Sequence, residues 1–167
     1  MKLNKLMFRE YDIRGIWNED ITEEISYYIG RAYATKLLSL KKNKMIVGYD
    51  NRLSSPIIEK NLVKGLTDGG VDVVRLGLVT TPMYYYAWDK LNIHCGIMIT
   101  ASHNPKEYNG FKMSYNGIHN CFGNEVAELY YIILNGIYSK GNGSITDANI
   151  KEDYIKMINS HINMGSN

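Results

Sequence analysis

Residues 95–105 read Cys95-Gly96-Ile97-Met98-Ile99-Thr100-Ala101-Ser102-His103-Asn104-Pro105. The first half is a short apolar run of buried-strand type, and the second half is a polar loop closed by proline. Working backward, Thr81-Pro82 is a cap-plus-proline start for a helix to about Leu91, and Val71–Leu76 is a strand. Ser55-Pro56 opens another helix, with Ser55 as cap, that carries Ile57, Ile58, Leu62, Val63 and Leu66 and stops at Gly69-Gly70. Met45–Asp50 is a third strand. Residues 22–40 form a helix with Ile25, Ile29, Ala32, Tyr33, Leu37 and Leu40 on one side and Thr22 as cap. Strands alternating with helices at this spacing imply βαβ units and an α/β fold with a mainly parallel sheet.

Working forward, Asn109-Gly110 and Asn116-Gly117 are turn dipeptides that bracket a strand over Phe111–Tyr115. A helix covers about Asn124–Leu134. Gly141-Asn142-Gly143-Ser144 reads as a flexible break. Ile150, Tyr154, Met157, Ile158 and Ile162 then mark a last amphipathic helix. Residues 1–140 are therefore expected to form the main domain, and residues 141–167 a linker and terminal helix.

The chain has 167 residues, 45% of them hydrophobic and 22% charged, enough to bury one core of ordinary size. Its net charge of +2 offers no clustered basic face for nucleic acid. No apolar run approaches the roughly 20 residues of a membrane span. The N-terminal apolar stretch is cut short at Arg9-Glu10, so no signal peptide is read, and the cytoplasm is the expected compartment. Cys95 and Cys121 are accordingly expected to be reduced and buried.

Parallel sheets of this kind hold ligands outside the carboxyl ends of their strands. Here those ends are Asp50–Ser55, Gly77–Thr81 and Thr100–Pro105, all polar, two of them leading into helix N-termini that favour anions. Ser102 beside His103 suggests a hydrolase pair, but adjacent residues rarely face each other, and no Gly-x-Ser-x-Gly elbow or orienting acid is evident. A serine at a strand end can instead carry a phosphoryl group, with Lys112 nearby to offset its charge.

Three segments carry a resemblance. Phe8-Arg9-Glu10-Tyr11-Asp12-Ile13-Arg14-Gly15, Gly48-Tyr49-Asp50-Asn51-Arg52, and Thr100–Pro105 continuing into Tyr108-Asn109-Gly110-Phe111-Lys112 resemble the signatures of the α-D-phosphohexomutases. The match is nearest to the phosphomannomutase/phosphoglucomutase group, and Tyr49 stands where that family usually has arginine. The resemblance implies a three-layer α/β/α first domain. It also implies that Ser102 is a phosphoserine passing its phosphoryl group to a hexose phosphate (glucose or mannose 1- or 6-phosphate) through a bisphosphate. Arg14, His103 and Lys112 would be catalytic, and Tyr11, Arg14 and Lys112 would bind substrate. Mg²⁺ would bind through the Ser102 phosphate, and hexose 1,6-bisphosphate would serve as activator. Asp50 and Arg52 are read as bracing the loop in preference to touching sugar.

The family's enzymes have four domains, and their Asp-x-Asp-x-Asp-Arg metal loop, sugar-recognition loop and distal phosphate loop have no counterpart in this sequence. The other metal ligands are thus expected on missing domains of the same polypeptide, and these 167 residues alone are expected to be inactive. The alternative is a free-standing module that binds a sugar phosphate or a partner without catalysis.

Overall fold

The computed structural model describes residues 2–162. Six strands form one sheet in the order β1-β5-β4-β2-β3-β6. They are β1 (Ile13–Ile16), β2 (Lys44–Tyr49), β3 (Asp72–Leu78), β4 (Gly96–Ile99), β5 (Tyr108–Ser114) and β6 (Ile145–Asp147). β2 pairs in parallel with β3 and β4, and β3 with β6, whereas β5 is antiparallel to both of its neighbours, β1 and β4. The sheet is therefore mixed and mainly parallel, as expected.

The helices are α1 (Glu23–Ser39), α2 (Ser55–Asp68), α3 (Thr81–Leu91), α4 (Asn124–Asn135) and α5 (Lys151–His161). Alternation along β2 explains the layering. Met45 and Val47 face a core shared with α1, α2 and α4, while Ile46 faces a smaller core with α3, Ile150 and Tyr154. The result is an α/β/α sandwich. No helix among the described residues is long and apolar enough to cross a membrane.

α1 begins where the sequence indicates, with the Thr22 hydroxyl accepting from Ile25 N at 3.1 Å. The next two starts lie one residue earlier than expected. Ser54, not Ser55, is the cap residue of α2, and Thr80, not Thr81, caps α3 by accepting from Met83 N. Ser55 is engaged elsewhere, its hydroxyl donating to Asp50 Oδ1 at 2.7 Å.

Three further expectations change. Asn109-Gly110 is not a turn but lies inside β5, with Gly110 opposite Arg14 of β1. A Cβ on Gly110 would sit 2.4 Å from the Ile13 carbonyl oxygen, so close strand approach, and not turn geometry, requires glycine there. The stretch Gly141–Ser144 is an ordered crossing and not a flexible break. Gly141 N donates to Asp68 O at 3.1 Å and Gly143 N to Thr67 O at 2.9 Å. It feeds β6, an edge strand that the sequence reading lacks. Cys95 and Cys121 are both free and buried, as expected.

α1 and α2 cross in backbone contact. A Cβ on Gly65 would meet the Tyr27 carbonyl oxygen at 2.1 Å, and one on Gly30 the Leu62 carbonyl oxygen at 2.3 Å. Gly65→Ala is expected to destabilise the fold by about 1–3 kcal/mol through forced separation of the helices, read by urea unfolding.

Burial pushes the Cys121 thiol up to about 12 and holds the phenols of Tyr33, Tyr84 and Tyr115 well above their ordinary value. These groups stay neutral in the folded protein and ionise freely only when unfolded. For Cys121 the stabilisation is complete below the ordinary thiol value of 9.0 and is lost as pH climbs through about 12. The melting temperature should decline across that alkaline window, and a flat profile there would contradict the burial of these groups.

Candidate functional site

Because β2, β3 and β4 run parallel, Asp50, Val79 and Thr100 leave the sheet along one edge. The antiparallel β5 returns at the same edge, so residues 100–107 form a hairpin loop between adjacent strands. Ser102 lies on this loop. Asn104 N donates to Ala101 O at 3.0 Å, closing a four-residue turn. Ser102 is its second residue, with a φ of 54°. A left-handed conformation at a non-glycine residue costs about 1–3 kcal/mol and persists only where its surroundings enforce it. Ser102 N is anchored at 3.0 Å to Thr100 Oγ1, while the side chain is exposed.

Arg52 bonds to the backbone of this loop. Its Nη1 donates to Pro105 O at 2.6 Å and Tyr108 O at 2.9 Å, and its Nη2 to Ser102 O at 3.1 Å and Asn104 O at 2.7 Å. Its Nε donates to Asp50 Oδ2 at 3.3 Å. All five N–H donors of the guanidinium thus have acceptors, three of them carbonyls of the one loop and a fourth the carbonyl of Tyr108, where β5 begins.

Asp50 is held in turn. Its Oδ1 accepts from Arg52 N at 3.1 Å and from the Ser55 hydroxyl at 2.7 Å. Asn109 completes the network: its Nδ2 donates to Ser54 Oγ at 2.8 Å and Ser55 Oγ at 3.0 Å. Asn109 is fully buried, and its importance is hidden in the sequence by the turn-like Asn-Gly pair. Its motif neighbours Tyr108 and Gly110 were the available signal.

Of the residues singled out from sequence, Arg14 reaches the Ser102 loop, its Nη1 donating to Asn104 Oδ1 at 2.5 Å and its Nη2 to Asp12 Oδ2 at 2.5 Å. Its side chain is only 11% exposed, and its Nε has no hydrogen-bond partner among the described residues. Lys112 lies on the same face of β5 as Gly110, the register partner of Arg14, and makes no hydrogen bond or ion pair among the described residues. His103 Nδ1 stands 3.5 Å from Ser102 Oγ, too long for a strong bond. No carboxylate pairs with His103 among the described residues, so a Ser-His-acid relay is not assembled. Tyr11 is 70% exposed.

A cleft of about 830 Å³ opens beside the loop, lined by Trp17, Asn51, Leu53, Ile57, Ser102 and Lys106 among others. Arg14, Lys112, His103 and Tyr11 do not line it. A second hollow of about 470 Å³ lies at the ends of β2 and β3, with Thr80, Thr81 and Lys151 on its rim.

Residues 5–136 match the family described as "Phosphoglucomutase/phosphomannomutase, alpha/beta/alpha domain I". The chain belongs to this family. Over 95% of its length it is 40% identical to a phosphoglucomutase of Neisseria meningitidis serogroup B, of which it spans 35%. It is 41% identical over 95% of its length to a phosphomannomutase/phosphoglucomutase of Pseudomonas syringae pv. tomato, spanning 34% of that protein. The crystal structure of a phosphoglucomutase/phosphomannomutase family protein from Burkholderia thailandensis superposes with a TM-score of 0.93 at 31% identity, covering 99% of this chain and 38% of that one. The chain therefore spans about a third of the length of these relatives and corresponds to the family's domain I.

No Mg²⁺ site is assembled among the described residues. Magnesium takes oxygen ligands, chiefly carboxylates. The nearby Asp12 and Asp50 are engaged by Arg14 and Arg52. Among the described residues no group of three His, Cys, Asp or Glu side chains is placed to hold a metal ion.

Asn109→Ala would leave the Ser54 and Ser55 hydroxyls without their buried partner. Urea unfolding should register a loss of about 1–3 kcal/mol.

Proposed function

We propose that this chain is the phosphoserine-bearing first domain of a phosphohexomutase that interconverts hexose 1- and 6-phosphates, with glucose or mannose as the sugar. The observation that carries this reading is the exposed Ser102 hydroxyl. It sits on a left-handed turn whose carbonyls are gripped by Arg52, at the carboxyl edge of a parallel sheet. Such an edge is where α/β folds bind phosphorylated ligands. The family membership of the chain supports the reaction class.

In this reading the phosphoryl group of Ser102 passes to the free hydroxyl of a hexose monophosphate. The bond from phosphorus to Ser102 Oγ breaks as the bond to the sugar oxygen forms. The hydroxyl's proton leaves to a base, and Ser102 Oγ takes up a proton. The resulting hexose 1,6-bisphosphate turns about and returns its other phosphate to Ser102 by the reverse step. Free bisphosphate would act as activator by loading the serine.

Arg14 and Lys112 are the residues assigned to charge stabilisation or proton transfer, and both would contact substrate together with Tyr11. Arg14 is tied to the loop through Asn104, which would hold its positive charge close to the developing phosphoryl charge. His103 is assigned to the catalytic group by its place next to Ser102. The phosphate on Ser102 would supply one ligand to Mg²⁺, with the rest coming from other domains.

Residues 1–140 carry the reactive loop in this proposal. Residues 141–167 add β6 to the sheet edge and lead toward a second domain. The protein would work in the cytoplasm on small sugar phosphates, without nucleic acid or membrane as partner. By itself the chain should not turn over.

The test is Ser102→Ala in the full-length protein. Conversion of glucose 1-phosphate to glucose 6-phosphate should fall by about a thousandfold or more, the scale of losing a covalent carrier. The phosphoryl group carried by wild type should vanish from the intact mass. A variant at wild-type rate would overturn the proposal.

A further inference from the structure

We infer that Arg52 is a positioning residue for the reaction: its five-point grip sets the backbone conformation that presents Ser102, without contact to the sugar. The inference deepens the phosphoserine reading above and rests on it.

The Ser102 conformation is costly. A serine at φ 54° is intrinsically unfavourable, and the turn's single internal hydrogen bond, Asn104 N to Ala101 O, is a weak restraint on an exposed loop. Three carbonyls of that loop, those of Ser102, Asn104 and Pro105, and that of Tyr108 at the start of β5, nevertheless converge on one guanidinium. Carbonyl oxygens pointing at a common centre repel one another unless a cation sits among them. Arg52 is that cation. It is fixed from behind by Asp50, which is fixed by Ser55, which is fixed by the buried Asn109.

The bonds also bear on which residue could replace it. A lysine keeps the charge but offers three donors on a flexible stem where five are used in a planar fork. Arg52 borders the cleft, but because every one of its donors is already occupied, the guanidinium has none left for a substrate phosphate or hydroxyl. Its influence must therefore pass through the loop. Displacing a reacting oxygen by about 1 Å costs on the order of a hundredfold in rate.

The experiment compares Arg52→Lys with wild type and Ser102→Ala in the full-length protein. For each, kcat, KM, melting temperature and residue-resolved amide hydrogen exchange are measured. Arg52→Lys is expected to lower kcat by about a hundredfold while KM for glucose 1-phosphate stays within about twofold. Exchange should quicken at the amides of Ser102, Asn104 and Tyr108 and stay unchanged within β4. Asp50→Asn, which keeps the shape but removes the charge behind Arg52, should lower kcat by about tenfold in the same pattern, and it decides the matter should Arg52→Lys fail to fold.

A wild-type kcat in these variants, or unchanged exchange in the loop, would overturn the inference. So would a rise in KM that accounts for the whole loss, since that would make Arg52 a substrate ligand. Failure of the functional reading has its own signature, an active Ser102→Ala variant. In that case loop exchange in Arg52→Lys still decides whether Arg52 sets the loop's conformation.

Discussion

Five N–H groups on one planar cation, each with an acceptor, hold the loop that carries Ser102. Arg52 leaves the end of β2, turns back on Asp50, and gathers the carbonyls of a loop about fifty residues further along the chain. Arginine suits this position because its fork is rigid and its charge permanent. The loop has little apolar burial of its own, so this electrostatic keystone substitutes for a core. The sheet supplies the keystone's position, and the helix crossing at Gly30 and Gly65 sets how closely α2, and with it the end of the Asp50–Ser55 segment, lies against α1.

The two faces of the sheet do different work. The face toward α1, α2 and α4 is the larger core, closed by Tyr33, Phe111 and the aliphatic residues of three helices. On the opposite face α3 and Ile150 cover the region of β2, β3 and β4. Arg14 and Lys112 belong to β1 and β5, beyond that cover. Packing thus builds a core on each side and leaves Arg14 and Lys112 outside the smaller one, with Arg14 bonded to Asn104 of the Ser102 loop.

Much of this was legible from residue order. Thr22 caps α1 in the manner its sequence announces, and the run Gly96–Ile99 is a buried strand that ends where the polar loop begins. The misreadings have definite causes. Ser54 and Ser55, like Thr80 and Thr81, are adjacent residues of equal capping ability. Which one caps depends on the other's tertiary partner, as with Ser55 and Asp50. Asn109-Gly110 has the local preference of a turn, but the β1–β5 approach and the Ser54 and Ser55 hydroxyls need those same two residues inside a strand. β6 shows no hydrophobic alternation because all three of its residues are exposed. At the candidate site, the motifs named Ser102, Arg14, His103, Lys112 and Tyr11, of which only Ser102 lines the cleft. The full extent of Arg52's grip was out of reach, because its partners on the loop are backbone carbonyls and every residue type has one.

The placement of Arg52 far from the loop in sequence has a consequence for the life of the protein before it is fully folded. The β4–β5 hairpin is a local unit whose closure needs only the eight residues 100–107. Its keystone, however, arrives on β2, which must dock beside β4 before the guanidinium can reach the carbonyls. A molecule with the hairpin formed but β2 detached would carry Ser102 without the geometry that presents it. Nascent, damaged or locally opened chains would then carry an unbraced loop, and the braced turn of Ser102 would be reserved for molecules whose central sheet is complete.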